Sequence, residues 1–163
     1  MRRLVLGVFL LGSFAACTSQ PAPPSEMTDQ ARGQIQAEVL EWSDQWLAQV
    51  TSLDPQGAAG LFDQADAHFM NGASYQGNWQ QFLDETRSLY EGWEVWDGSW
   101  VTRRVDVLAP DAALLVGEVA GLQQWTDGSE YDFNTYFSFV LRKKGEAWTG
   151  LFGHVTGSRT PRD

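Results

Sequence analysis

The sequence predicts an α+β fold in which helices come first and an antiparallel sheet follows. In the first half of the folded part, apolar residues recur every three or four positions, which is the spacing of amphipathic helices. In the second half, apolar and polar residues alternate and turn residues separate the runs, which is typical of antiparallel strands. Because the two kinds of element are segregated along the chain, we expect the helices to cover one face of the sheet.

Two helices are predicted in the segment that begins at residue 28. Thr28 is a suitable N-cap for the first helix, which should reach about Val50. Asp54 caps the second helix, Pro55 takes its first position, and this short helix should end near Phe62. The first helix is expected to bury a face that carries Ile35, Val39, Trp42 and Trp46.

A short extended piece, a turn and a third helix come next. Residues 67–70 are predicted to be extended, and Asn71-Gly72 is predicted to turn. Asn78 and Gln81 have the spacing of a capping box, and Gly92 should stop the third helix. The apolar stripe of this helix is expected to contain Trp79, Phe82, Leu83, Leu89 and Tyr90.

Strands are predicted in the second half, at 101–107, 113–125, 131–141 and 148–154. The turns between them are Ala109-Pro110-Asp111, Thr126-Asp127-Gly128-Ser129 and Lys143-Lys144-Gly145-Glu146. Alternation in the last strand predicts a common face for Trp148, Gly150, Phe152 and His154. The residues from Gly157 onward are expected to form a frayed polar tail.

The first 16 residues are predicted to be an export signal. Arg2 and Arg3 precede an apolar stretch that is too short to span a bilayer as a mature helix. Phe14-Ala15-Ala16-Cys17 resembles a bacterial lipobox, so Cys17 is expected to become the N-terminus and to carry acyl chains such as palmitate. The alternative is a soluble exported protein that is cleaved nearby, in which Cys17 is incidental.

This interpretation divides the chain into a signal (1–16), a flexible Pro- and Ser-rich tether (17–27), one folded domain (28–158) and a disordered tail (159–163). Thr18 and Ser19 lack the Asp that is associated with retention in the inner membrane, which favours the periplasmic side of the outer membrane. Cys17 is the only cysteine, so no intrachain disulfide can form and core packing must stabilise the domain.

The chain is strongly acidic. Its formal net charge is −10, and without residues 1–16 its 9 basic and 21 acidic residues leave −12. Such a surface repels the phosphates of nucleic acids and anionic lipid head groups. Nucleic-acid binding and polybasic membrane contact are therefore excluded as functions, and attachment to a membrane is expected through the lipid on Cys17.

Three segments resemble the SnoaL-like branch of the nuclear transport factor 2-like superfamily, and the similarity covers nearly the whole of residues 30–158. They are His68-Phe69-Met70-Asn71-Gly72, the strand entry at 109–117, and the closing strand with Trp148 and His154. The resemblance implies a curved sheet that three helices wrap into a cone, with a pocket at the open end. Because members include isomerases, cyclases, dehydratases and binding domains, it implies the fold more strongly than an activity. The catalytic acid and base of the enzymatic members match no position of this sequence.

Nine residues are predicted to line the pocket. Trp and Tyr side chains combine an apolar body with one polar group, which suits a flat apolar or aromatic ligand. The alternative for the same residues is an ordinary aromatic core together with a dimer face. The predicted ligand-binding set is Tyr75, Trp79, Trp93, Trp100, Trp125, Phe133, Tyr136, Phe152 and His154.

His68 and His154 are the only histidines. If the protein is an enzyme, His154 is the expected proton donor or base, with a strand carboxylate as its partner; the alternative is a structural hydrogen bond. His68 follows Asp63 and Asp66, but their spacing is not that of a metal site, and no metal or cofactor is predicted. The candidate strand carboxylates are Asp106, Glu118, Glu130 and Asp132.

Three functions are compatible with these patterns. The leading interpretation is a lipoprotein of the bacterial cell envelope that binds a small apolar or aromatic molecule, or a partner protein, without catalysis. The second is an isomerase, cyclase or dehydratase that moves a proton with His154. The third is an assembly module that forms a homodimer through its sheet, using aromatic residues of the strand at 131–141.

Overall fold

Helices and strands follow one another in the predicted order. The computed structural model describes residues 27–72 and 74–163, so the predicted signal, Cys17 and most of the tether lie outside the described residues. The helices are α1 (Asp29–Thr51), α2 (Pro55–Gly60) and α3 (Trp79–Glu91). The strands are β1 (His68–Asn71), β2 (Ser74–Gln76), β3 (Trp93–Ala109), β4 (Ala112–Trp125), β5 (Glu130–Lys144) and β6 (Ala147–Pro161). Among the described helices, none has the length and apolar character needed to cross a membrane.

The described strands form one curved, unclosed sheet in the order β2-β1-β6-β5-β4-β3. Strands β3 to β6 are a meander of neighbouring antiparallel pairs. Strand β1 pairs with β6 in parallel, so the sheet is mixed rather than wholly antiparallel as predicted. Parallel pairing needs a long connection, and here β2, α3 and β3–β5 all lie between β1 and β6 in the chain. The predicted α+β class is confirmed.

The predicted helix starts are confirmed. The side chains of Thr28, Asp54 and Asn78 each accept a hydrogen bond from the backbone N–H three residues further on. Gln81 differs in detail, because its Oε1 accepts from the N–H of Gly77 at 3.0 Å rather than from the cap residue itself. Capping depends on neighbours in sequence, which is why it is visible before folding.

Helix α1 lays its aromatic face on the concave side of the sheet. Ile35, Val39, Trp42 and Trp46 are all buried, as the periodicity predicted. The ring of Trp46 packs edge-on against Phe137 and Phe139, with centroids 4.8 and 4.9 Å apart. Rings from a helix and from β5 therefore build a common aromatic core.

A bulge in β3 changes which side chains face this core. Trp100 lies opposite Val119 and Thr102 lies opposite Glu118, so Val101 is an extra residue in the ladder. Trp100 packs against Trp46, whereas Val101 is 59% exposed. The bulge therefore moves Val101 away from the face that it would share with Val105 in an unbroken strand.

A second bulge, in β6, also changes which side chains face the core. Gly150 lies opposite Leu141 and Phe152 lies opposite Val140, so Leu151 is the extra residue. A β-carbon at Gly150 or at Gly153 would meet the ring of Phe62, so both glycines face the core. The expected common face of Trp148, Gly150, Phe152 and His154 is therefore wrong beyond Gly150: the last two residues lie on the outer face.

The polar tail that the sequence predicted from Gly157 onward is largely a strand. Strand β6 continues to Pro161, which lies opposite Tyr131 of β5. The partner exists because β5 begins as early as Glu130 and offers its backbone to the returning chain. The continuation brings Arg159 opposite Phe133, at the end of the concave face.

Candidate functional site

A cavity of about 630 Å³ lies between α3 and the concave face of the sheet. Small-molecule pockets typically measure roughly 300–1,000 Å³, so this volume suits a compact organic ligand. Most of its wall is aromatic. The lining rings are Trp46, Phe62, Phe69, Phe82, Tyr90, Trp93, Trp96, Trp125, Phe133, Phe137 and Phe139.

The aromatic wall is built from rings that hold one another. Phe69 and Phe82 stack with their centroids 3.6 Å apart, which joins β1 to α3. Phe62 packs edge-on against both of them and against Phe139. Trp96 stacks on Phe133 at 4.6 Å. Because each ring is supported by others, the wall is formed before any ligand arrives.

One end of the cavity is polar. Gln123 is only 3% exposed, and its Oε1 accepts hydrogen bonds from Trp125 Nε1 at 3.2 Å and from an Arg159 Nη at 3.4 Å. The guanidinium of Arg159 lies over the ring of Trp125 at 5.2 Å and over that of Tyr131 at 5.5 Å. Gln123, Trp125 and Arg159 all line the cavity, and we call this group the polar end.

Tyr90 and Trp93 are two further aromatic residues of the lining that carry a polar group. Burial, together with the negative charge of Asp54, raises the pKa of the Tyr90 phenol, so the group stays neutral and can donate a hydrogen bond. Trp93 stacks on Tyr90 at 5.1 Å, and its buried indole N–H has no hydrogen-bond partner within residues 27–72 and 74–163.

Three of the nine predicted ligand-binding residues line the cavity: Trp93, Trp125 and Phe133. Trp100 does not line the cavity; it is half-buried and packs against the core at Trp46. Trp79 donates its indole N–H to the backbone carbonyl of Ala59 at 2.8 Å and so joins α3 to α2.

The other predicted residues lie away from the cavity. Tyr75 is 61% exposed on β2, and its hydroxyl is 2.8 Å from Nδ1 of His68. Tyr136 is half exposed on the outer face, where Phe152 and His154 also lie because of the bulge at Leu151. The structure thus separates the predicted set into a cavity group, a core group and an outer group.

Charged groups are scarce in the cavity. Glu85 of α3 and Arg159 are the charged residues among those that line it in the described part of the chain, and neither histidine is among them. The candidate strand carboxylates have other surroundings: Asp106 pairs with Arg104, Asp132 with Arg162, and Glu118 accepts from Asn134. Glu130 does not line the cavity either. The described residues also contain no group of His, Cys, Asp and Glu placed to hold a metal ion.

Two residues of the polar end, Gln123 and Arg159, were not predicted from the sequence. Strand β4 alternates Val119, Gly121, Gln123 and Trp125 along its concave side, so a glutamine in that row was the available signal. Arg159 gave no usable signal, because its position was assigned to the tail. Its role depends on the pairing of β6 with β5 over the full length of both strands.

Solved structures share this fold. A type 2 hexachlorocyclohexane dehydrochlorinase (LinA) is similar with a TM-score of 0.72 and 14% identity, over 83% of this chain and 94% of that one. A ketosteroid isomerase-like protein from Erwinia carotovora atroseptica has a TM-score of 0.68 and 15% identity, over 75% and 95%. A nuclear transport factor 2-like superfamily protein from Salmonella enterica serovar Typhimurium has a TM-score of 0.70 and 16% identity, over 77% and 92%.

These likenesses establish the nuclear transport factor 2-like fold, which the sequence motifs predicted. No protein-family model and no curated protein matches the sequence. Because identities of 14–16% accompany the structural likeness, the comparisons inform the fold and leave the function to the site itself.

Proposed function

We propose that this protein is a lipid-anchored component of the bacterial cell envelope that binds a small apolar or aromatic molecule. The observation that carries the binding proposal is the cavity of about 630 Å³ with its aromatic wall. Burial of apolar ligand surface contributes roughly 25 cal/mol per Å², and a wall of mutually supported rings needs little rearrangement to receive a ligand.

The sequence supports the location. The lipobox-like run that ends at Cys17 and the Pro- and Ser-rich tether would keep the cavity a short distance from a membrane surface. Apolar molecules concentrate at such a surface, so a tethered binding domain would meet its ligand there. The same tether would also permit contact with a partner protein.

An isomerase, cyclase or dehydratase is the second candidate, because structures of the same fold include a dehydrochlorinase and a ketosteroid isomerase-like protein. The version that uses His154 has no geometric support, since that side chain lies on the outer face. Proton transfer by a carboxylate in the cavity would use Glu85, which lines it. Turnover of a bound carbonyl compound that Glu85→Gln abolishes, without loss of binding, would favour this candidate.

A homodimer through the outer face is the third candidate. Val116 and Tyr136 border a hollow of about 330 Å³ on that face, and Phe152 is half-buried nearby on β6. Burial of these side chains against a second copy would stabilise a dimer. Light scattering should then give twice the monomer mass, and Phe152→Asp should restore a monomer; a monomer at every concentration would exclude this candidate.

The binding proposal is tested with the neutral fluorophore N-phenyl-1-naphthylamine, followed by fluorescence and by native mass spectrometry. Val155→Trp should lower its affinity at least tenfold, because Val155 lines the cavity and the larger indole would occupy space that the ligand needs. Val140→Trp is the matched control, since Val140 is also half-buried but lies opposite Phe152 on the outer face. Absence of binding to the unmodified protein, or equal binding to both variants, would refute the proposal.

A further inference from the structure

We infer that the cavity selects an anionic amphiphile, whose apolar body lies against the aromatic wall and whose carboxylate, sulfonate or phosphate group binds Arg159 at the polar end. The inference rests on the proposed binding function and names the chemical class of the ligand. It is carried by the pairing of charges across the molecule, by the way in which Arg159 is held, and by its place beside the apolar wall.

Most cations in the described part of this acidic chain have an anionic partner. Within residues 27–72 and 74–163, seven of the nine lysines and arginines lie within ion-pair distance of a carboxylate. The two others are Arg32, which donates to the carbonyl of Val107, and Arg159. Arg159 is therefore the cation of the cavity, and no carboxylate in the described part of the chain neutralises it.

Arg159 is held by neutral groups. Two rings, Trp125 and Tyr131, lie at cation–π distance from its guanidinium, and the amide oxygen of Gln123 accepts one of its five N–H donors. None of these contacts removes the positive charge. They orient a planar fork of donors, and such a fork matches the oxygens of a carboxylate, sulfonate or phosphate group.

The site joins this charge directly to the apolar wall. Trp125 lines the cavity and also supports Arg159, and Arg159 lies opposite Phe133, which stacks on Trp96. A ligand that fills the cavity thus places one end beside the guanidinium. The acidic surface opposes anions in general, but salt screens exposed charges beyond about 8–10 Å, so the local arginine decides binding at contact distance.

Two probes with the same ring system test the inference on the full-length protein. The anionic probe is 1-anilinonaphthalene-8-sulfonate, and the neutral probe is N-phenyl-1-naphthylamine. We expect the unmodified protein to bind the anion about tenfold more tightly or better, since a hydrogen bond to a charged group contributes that much.

Arg159→Gln should remove the preference by lowering affinity for the anion about tenfold while the neutral probe binds as before. Arg162→Gln is the matched control: Arg162 is another exposed arginine close in sequence, but it pairs with Asp132 and does not line the cavity. This control should retain the preference of the unmodified protein.

The outcomes separate the two proposals. If neither probe binds, the binding function itself fails. If both bind equally and Arg159→Gln changes neither affinity, the cavity binds apolar molecules without selecting anions, and this inference is overturned. The inference is also overturned if Arg162→Gln removes the preference as strongly as Arg159→Gln does, because the effect would then report overall charge.

Discussion

Replacement of Gly150 by alanine should destabilise the protein, although alanine in a strand is normally better than glycine by about 0.5–1 kcal/mol. A β-carbon at Gly150 would lie 2.2 Å from Cδ1 and 2.4 Å from Cε1 of Phe62. Two hydrogen bonds hold the backbone of Gly150 against the segment that carries Phe62. Asp63 donates its N–H to the carbonyl of Gly150 at 2.9 Å, and the N–H of Gly150 donates to the carbonyl of Leu61 at 3.1 Å. On the other side β6 pairs with Leu141 of β5.

Neighbouring rings hold Phe62 in place, although one side of the residue borders the cavity. Phe62 is 3% exposed and packs edge-on against Trp42, Phe69, Phe82 and Phe139. An extra methyl group in such a core costs about 1–3 kcal/mol, and the gain in backbone entropy offsets about 0.5–1 kcal/mol of that. We therefore expect a net loss of about 1–2 kcal/mol in the free energy of unfolding.

Urea unfolding followed by tryptophan fluorescence measures this loss. Gly33→Ala is the matched control, because Gly33 lies in α1 with no atom within 4 Å of its added β-carbon, and the same change there should stabilise the protein by about 0.5–1 kcal/mol. Phe62→Leu in the Gly150→Ala background should cost less than the sum of the two single changes, since the shorter side chain relieves the clash. A Gly150→Ala variant as stable as the unmodified protein, or simple additivity in the pair, would refute the reasoning.

Three further predictions concern ion pairs and the N-terminus. Asp63→Asn should lower the free energy of unfolding by about 1–3 kcal/mol, because Asp63 is buried and forms ion pairs with β5. Asp66 is exposed and pairs with the same arginine, so Asp66→Asn should change stability by less than about 0.5 kcal/mol. Equal effects of the two substitutions in urea unfolding would contradict this. Hydrogen bonds from Lys143, foremost, and from Trp148 lower the pKa of Glu38 from 4.5 to about 2. The stabilisation that they contribute is therefore full above pH 4.5 and is lost as the pH falls toward 2. The acid-induced loss of stability should therefore be smaller in Glu38→Gln by about 1–2 kcal/mol, and parallel pH profiles of the two proteins would exclude the effect. Mass spectrometry of the protein expressed in a bacterium should find an acylated N-terminus at Cys17, and a chain that begins elsewhere without acyl groups would disprove lipidation.

The features that the sequence predicted well are those that depend on near neighbours. The three helix caps at Thr28, Asp54 and Asn78 are local hydrogen bonds, and the buried face of α1 follows from a spacing of three and four. The turn at residues 126–129 lies where its residues predict it, with Gly128 at positive φ. Each of these is decided within a few residues, so no knowledge of the sheet is needed.

The cavity was predicted only in part, because its lining depends on strand register. Alternation by two assigns a face to each residue, and one extra residue reverses every assignment that follows. Because Leu151 is an extra residue, His154 lies on the outer face and not in the predicted pocket. The expected proton-transfer pair therefore has no geometric support.

The sequence by itself determined the class of fold, the order of the elements and the aromatic character of the interior, since these follow from composition and local periodicity. Tertiary structure decided which rings line the cavity and that Arg159 lies at its polar end beside Gln123. The physical reason is that both depend on the pairing of strands that are not neighbours in sequence, such as Phe133 with Arg159. In that pairing, bulges and the length of the neighbouring strand set the position of a side chain.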